Sequence, residues 1–425
     1  MKKKELIKQI IRTFHLAKKF DVIPRDIEIP LNTNKIITLI GARRSGKTYV
    51  LYSIINKLQD NIPKEQIVYI NFEDERFDLK IDELDLILQS YKELYPDLNL
   101  NNCYLFFDEI QNIEGWEKFV RRIYDSVTKN IFITGSNSKL LSSEIASSLR
   151  GRTLTFTIYP LSFKEYLRFK NIVIDLYGFN EVSKIKSEFL TYLQDGGFPE
   201  LIFLDKRYHI DILQEYFNVM IYKDLIERYK ISNITALKFF LKRVIASSTK
   251  EISINKIYNE LKSNGIKIGK NSLYDYLEYI QAIFLVQVLY KYSNRINELG
   301  EKKVYAIDTG LVNAIEFSFS KNMGKALENL VFLELKRRKE EIYYHTSTNS
   351  ECDFILTTQN NLPMQVSWDI SEETTKIREL KGLLNACKTF KQNKGLIITA
   401  DLEDSFEING IKIEVIPFFK WCLVK

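Results

Sequence analysis

The sequence predicts an α/β protein of more than one domain, and three observations carry that class. An apolar run, Ile36–Ile40, enters a glycine-bearing loop that opens a helical pattern. A second apolar run, 104–107, ends on Asp108 and Glu109. A third, 130–135, leads into Thr134-Gly135-Ser136-Asn137. Strands alternating with helical stretches in this manner build a parallel sheet, and ligands gather at the carboxyl edge of such sheets. At 425 residues the chain exceeds the roughly 250–300 residues at which a single core stops growing, so two or three domains are expected.

Composition narrows the classes further. With 45% hydrophobic and 27% charged residues, and only 8 Pro and 16 Gly, the chain is neither disordered nor collagen-like. Its 61 Lys plus Arg against 55 Asp plus Glu leave +6, which permits a polyanionic partner and does not demand one. Four scattered cysteines, Cys103, Cys352, Cys387 and Cys422, form neither a disulfide scaffold nor a zinc pattern. The basic N-terminus lacks the uninterrupted apolar core of a signal peptide, and no segment reaches the roughly 18–20 apolar residues of a membrane span. A cytoplasmic location is expected. Positions 5–20 read as a basic amphipathic helix, either resting on a membrane or nucleic acid or packed on the next domain. The second reading is preferred.

The richest stretch is 36–58, where strand, loop and helix surround G-x-x-x-x-G-K-T. This is the phosphate-cradling P-loop in its required context: glycines admit phosphate oxygens to backbone N–H groups, and the helix start adds a favourable dipole. The contact set is Gly41, Ala42, Arg43, Arg44, Ser45, Gly46, Lys47, Thr48 and Tyr49. Lys47 is expected on the β- and γ-phosphates and Thr48 on Mg²⁺, with Asp108 as the second metal-side residue. Glu109 is expected to polarise the attacking water as general base. Ser136 or Asn137 is preferred to Thr134 for orienting that water or meeting the γ-phosphate, with turn chemistry as the alternative. Arg150 and Arg152 read either as a finger acting in trans on a neighbour's γ-phosphate or as surface ion-pairing arginines.

This combination resembles the AAA-type ATP-binding proteins of archaea and bacteria that carry a C-terminal domain of unknown function. The resemblance lies in G-A-R-R-S-G-K-T, D-E-I-Q with Trp116 following, T-G-S-N, and the L-R-G-R to P-L-S-F-K-E run through Glu165. It continues in D-G-G-F-P-E (195–200), the stretch Tyr222–Leu225, and Asp308-x-Gly310. It implies an ATPase that hydrolyses ATP to ADP and phosphate with Mg²⁺, fused to a DNA-binding-like and a nuclease-like module. AAA-type modules commonly form rings, so a homo-oligomer is among the expected states.

Beyond the P-loop region, D-G-G-F-P-E admits a lid, a hinge or a plain interhelix turn. Three apolar-periodic helices over 234–282 and two strands after them match a winged helix-turn-helix, with 272–280 as recognition helix. Lys267, Lys270, Asn271 and Ser272, and Lys291, Tyr292 and Arg295 in the wing, suit phosphate contacts. Asp275 and Glu278 on the helix count against them, and protein docking is the alternative. The last third places Glu328 and Glu334 on a helix, Glu351 and Asp353 on a strand, and Gln365 and Ser367 on the next. That is the ground plan of restriction-endonuclease-like folds, with Gln and Ser where an active site has Glu and Lys. Gln suits a hard cation poorly and Ser brings no charge, so nuclease activity is not expected. His15, His209 and His345 have no partner at ligand spacing, and only His345 lies near the acidic strands.

The expected architecture is therefore a P-loop NTPase parallel sheet with an AAA-like helical extension (1–229), a winged helix (230–315) and an inactive restriction-endonuclease-like α/β domain (316–425). The expected function is a Mg²⁺-dependent ATPase. The alternatives are an ATP-gated DNA-binding or DNA-processing protein of defence or a mobile element, and an ATP-dependent protein-interaction switch.

Overall fold

The computed structural model describes residues 2–76, 79–136, 149, 151–293, 301–316, 323–348 and 350–424. Asn137, Arg150 and Arg295 lie outside them. The chain divides into two compact units, Met1–Ile158 and Tyr159–Lys425.

The first unit is a five-stranded sheet of β1 (Ile36–Ile40), β2 (Ile67–Asn71), β3 (Tyr104–Asp108), β4 (Ile131–Gly135) and β5 (Thr153–Thr157), in the order β2-β3-β4-β1-β5. Every pairing in it is parallel. All five residues of β1 and of β4 are buried, which explains why these strands read as continuous apolar runs instead of alternating ones. β4 lies between the P-loop strand and the acidic strand, so three strand ends that bear polar residues converge at one edge. Helices α1 (Lys2–Leu16), α2 (Lys47–Leu58), α3 (Asp85–Leu94) and α4 (Trp116–Ser126) belong to this unit, and α1 buries Ile7, Ile11 and Phe14, spaced by four and three along one face. Each such side chain adds about 1.5–3 kcal/mol when fully buried. Lys3 pairs with Glu83 at 2.7 Å and Lys8 with Glu93 at 2.9 Å, which fixes α1 on its own unit. Of the two readings of the basic N-terminus, packing is the observed one.

The second unit opens with helices α5 (Phe163–Phe169), α6 (Phe179–Asp195) and α7 (His209–Val219), which runs on into a π-helical stretch, Met220–Glu227. Three further helices, α8 (Ile234–Ala246), α9 (Ile254–Ser263) and α10 (Lys270–Ala282), precede an antiparallel pair, β6 (Val286–Tyr290) and β7 (Lys302–Ala306). After α11 (Thr309–Glu316) and α12 (Met323–Arg337) comes a six-stranded mixed sheet of β8 (Ile342–Ser347), β9 (Ser350–Leu356), β10 (Leu362–Val366), β11 (Lys394–Thr399), β12 (Asp404–Ile408) and β13 (Ile411–Pro417). Its order is β12-β13-β11-β10-β9-β8, and α13 (Glu373–Phe390) packs on one face.

Two of the motifs singled out in the sequence meet here. Asp308 accepts hydrogen bonds from Gly197 N (2.7 Å) and Leu311 N (3.0 Å), so D-x-G clasps the G-G turn that ends α6. Burial lifts the Asp308 carboxyl to about 6, although these N–H groups pull the other way. A Cβ at Gly310 would lie 2.1 Å from Asp195 O and 2.8 Å from Gly196 N, both backbone atoms that cannot swing aside. Gly310→Ala is therefore expected to destabilise the second unit by about 3 kcal/mol, at the upper end of ordinary overpacking costs. Denaturant midpoints of the two proteins would measure it, and an unchanged midpoint would show that the backbones can part.

Candidate nucleotide site

Gly41 follows β1 where a Cβ would stand 2.1 Å from Ile158 O; no larger residue fits beside β5's continuation. The loop turns at Arg44 (φ 66°) and Gly46 (φ 96°), and α2 (Lys47–Leu58) starts from it. Arg25 Nη1 donates to Ser45 O at 3.0 Å and tethers the loop from outside. Arg43 is held by Glu73 at 2.7 Å, while Tyr49 is 60% exposed. Ser45 Oγ is buried with no hydrogen-bond partner.

Lys47 is only 4% exposed. Its Nζ donates to Gly41 O (3.3 Å) and Ala42 O (3.1 Å) and pairs with Glu109 Oε1 at 3.3 Å. Thr48 Oγ1 donates to Asp108 Oδ2 at 2.8 Å, so the helix start and the acidic strand end are directly joined. Asp108 also receives Tyr69 OH at 2.9 Å and the hydroxyl of Thr134. Burial raises its pKa, with the charge of Glu109 adding to that, against the lowering effect of these three hydroxyls.

Glu109 stands at φ 52°, a left-handed turn that points its side chain back over the sheet edge. Its N–H donates to Thr134 Oγ1 (2.8 Å), and Gln111 Nε2 donates to its Oε2 (2.5 Å). Burial disfavours its charge, but Lys47 and Gln111 outweigh that and hold the carboxyl below its ordinary value. Two adjacent acids thus differ in environment: Asp108 sits among hydroxyls and Glu109 against a cation.

Thr134, not Ser136, lies against both acids. Among the described residues, the Ser136 hydroxyl meets the Gln111 side-chain amide, at 3.4 Å. Arg152 is bound to Asp125 through two contacts, 2.9 and 3.2 Å, on its own unit's surface. Tyr69, Thr134, Gln111 and Arg25 are the neighbours that motif reading did not assign. Gln111 carried a signal as the last letter of D-E-I-Q, and Thr134 as the first of T-G-S-N, where Ser136 and Asn137 are ranked above it.

Elsewhere, His15 is spoken for by Tyr95 OH (2.7 Å) and Ile67 O (2.8 Å), and His209 by Asp195 and Leu204 O, both at 3.2 Å. His345 packs edge-on against Phe390. Among the described residues no group of three or more His, Cys, Asp or Glu is arranged to hold a metal ion, and no helix is long and apolar enough to cross a membrane.

Comparison with known proteins places the chain in a family. Residues 33–167 match an AAA domain, and two domains of unknown function, DUF8612 and DUF4143, match 186–322 and 323–421. The protein MJ1544 of Methanocaldococcus jannaschii is 43% identical over 99% of this chain and 96% of its own length. A Haemophilus influenzae protein is 32% identical over 92% and 95%. The Aeropyrum pernix ORC1 protein, solved in complex with DNA, superposes over 74% of this chain and 92% of its own with 12% identity and a TM-score of 0.31, too loose a match to carry an argument. The chain belongs to one family with the M. jannaschii and H. influenzae proteins, and its nucleotide site is that of an AAA-type P-loop ATP-binding domain.

Proposed function

We propose that the chain binds ATP at Gly41–Thr48 and hydrolyses it, and that the nucleotide state gates contact with DNA. The observation that carries the first part is the Lys47–Glu109–Gln111 chain of contacts beside Thr48–Asp108. Lys47 would exchange Glu109 for phosphate oxygens when ATP enters, and the backbone N–H groups of the loop would meet the remaining charge. Glu109, freed on one oxygen and still steered by Gln111, accepts the proton of the attacking water. Ser136, and Asn137 beyond it, stand as candidates for the γ-phosphate side, with Thr134 fixing the acids from below.

Thr48 and Asp108 are the residues that would hold Mg²⁺. One hydroxyl and one carboxylate suit an ion that keeps water and phosphate for its other ligands, and a bound Mg²⁺ neutralises phosphate charge. Arg150 or Arg152 acting in trans requires an oligomer, and Arg152 would have to leave Asp125, 2.9 Å away, to do so.

For the remainder we keep three domains, 1–229, 230–315 and 316–425. A winged-helix reading of the second is supported by α8–α10 followed by the β6–β7 pair, and an endonuclease-like reading of the third by α12 and the acidic β9. DNA contact, as against protein docking, is supported by exposed Lys267 just before α10 and by exposed Lys270 and Asn271 at its start, and is opposed by exposed Asp275 and Glu278 farther along. The wing contributes less: Lys291 is taken by Glu301 (2.8 Å), and Tyr292 packs on Tyr343 and Phe390.

Phosphate release from ATP by the intact chain tests the enzymatic part; no release with magnesium present contradicts it. For the DNA part, replacing Lys267 and Lys270 together by Ala should weaken duplex DNA binding and reduce its salt slope by about 2, one per lost phosphate contact. Equal affinity and slope, with and without ATP, would leave the helix a docking element for protein.

A further inference from the structure

An endonuclease-like domain implies a divalent metal, and the residues at hand decide whether one fits. The second unit contains a cavity of about 1090 Å³ lined in part by Glu328, Glu351, Asp353, Gln365, Ser367 and Glu379. Beneath these acids lies Lys303, the second residue of β7, only 1% exposed. Its Nζ is 3.5 Å from Glu328 Oε1, 3.5 Å from Asp353 Oδ1, and in closer contact with Glu351 Oε1. It also sits 5.4 Å above the Tyr344 ring.

Two of these acids carry further hydrogen bonds. Glu328 Oε1 accepts from Tyr305 OH at 2.7 Å, and Asp353 Oδ2 accepts from Val366 N at 2.9 Å. Gln365, in the place of a metal-binding Glu, donates to Glu379 at 2.5 Å and accepts from Asp353 N at 3.3 Å. Burial disfavours the charge on Lys303, but Glu328, Asp353 and Glu351 outweigh that and hold its pKa above the usual range. Conversely, burial and then Glu328 raise Asp353. One cation serves three acids.

A small hard cation needs several free oxygens that point at one place. Here that place holds an ammonium, so the residues do not fit a metal. We propose that Lys303 stands in the divalent cation's position, so that this domain takes up no catalytic metal and does not cut phosphodiester bonds. The lysine comes from the β6–β7 pair, about fifty residues before Asp353 in the sequence, so it also pins that pair to the acidic sheet.

The proposal rests on the endonuclease-like reading for the metal that Lys303 replaces. It is tested by Mn²⁺ titration of the full chain without nucleotide, using calorimetry and the spin-resonance signal of free Mn²⁺, in the wild type, Asp353→Asn, Lys303→Met and the double variant. Any ion at the P-loop is common to all four. The expected result is equal Mn²⁺ stoichiometry in wild type and Asp353→Asn, and one additional ion in Lys303→Met that Asp353→Asn removes. A wild type that binds one more ion than Asp353→Asn, or that cleaves DNA in an Asp353-dependent way, overturns the proposal and strengthens the endonuclease-like reading. A folded Lys303→Met that gains no ion overturns both. Should Lys303→Met fail to fold, the comparison of wild type with Asp353→Asn decides alone.

Discussion

Glu109→Gln is expected to bind ATP with near wild-type affinity while phosphate release falls about 10²- to 10⁴-fold, the usual share of a placed general base. The replacement keeps the shape of the side chain and its room against Gln111. What it removes is the ability to take a proton. It also faces two donors, Lys47 and Gln111, with a single acceptor oxygen, so the local pairing loosens without opening the loop. Labelled-nucleotide binding and a phosphate-release assay on the same preparation separate the two effects. Unchanged turnover would remove Glu109 from the chemistry and point to another base among the strand ends.

Lys47→Met should have the opposite signature. A charged hydrogen bond contributes about 1.5–3 kcal/mol, so ATP affinity should fall roughly 10- to 100-fold. The variant also leaves Glu109 buried without its cation, and burial then pushes that carboxyl up instead of down. The consequence for stability has a definite sign. A depressed folded-state pKa contributes stability above the unfolded value, near 4.5, and that contribution is lost as pH falls through the folded pKa. Wild type should therefore exceed Lys47→Met in denaturant midpoint at neutral pH, and the gap should narrow in acid. A gap that is independent of pH would mean that the Lys47–Glu109 pair contributes nothing to the fold.

How much of this was legible in the sequence depends on how local each contact is. Lys47 and Thr48 lie within one turn of the motif that announces them, and the local backbone fixes their roles. The parallel sheet was legible because β1 and β4 are buried along their whole length and leave no alternation. The choice between Thr134 and Ser136 was not. Both project toward the same face, two residues apart, and only the β3–β4 register, Phe107 beside Ile133, sets Thr134 next to Asp108. Gln111 escaped assignment because its reach to Glu109 depends on the left-handed turn at Glu109, which no residue type announces. Lys303 was the least legible. It reads as one lysine of a K-K-V-Y strand, and its role exists only once β7 meets Glu328 and Asp353. Its discovery changes the meaning of Ser367: the missing lysine of the third domain is matched by one that arrives from elsewhere and closes the site.

The central claim is that Lys47 and Glu109 form a pair that ATP opens. A structure of the chain with magnesium and a slowly hydrolysed ATP analogue tests it most directly. The account predicts β- and γ-phosphates within hydrogen-bond distance of Lys47 Nζ and of the loop N–H groups, with the 3.3 Å Lys47–Glu109 contact broken and Gln111 still on Glu109. An analogue bound elsewhere, or bound in the loop with that contact intact, would contradict it.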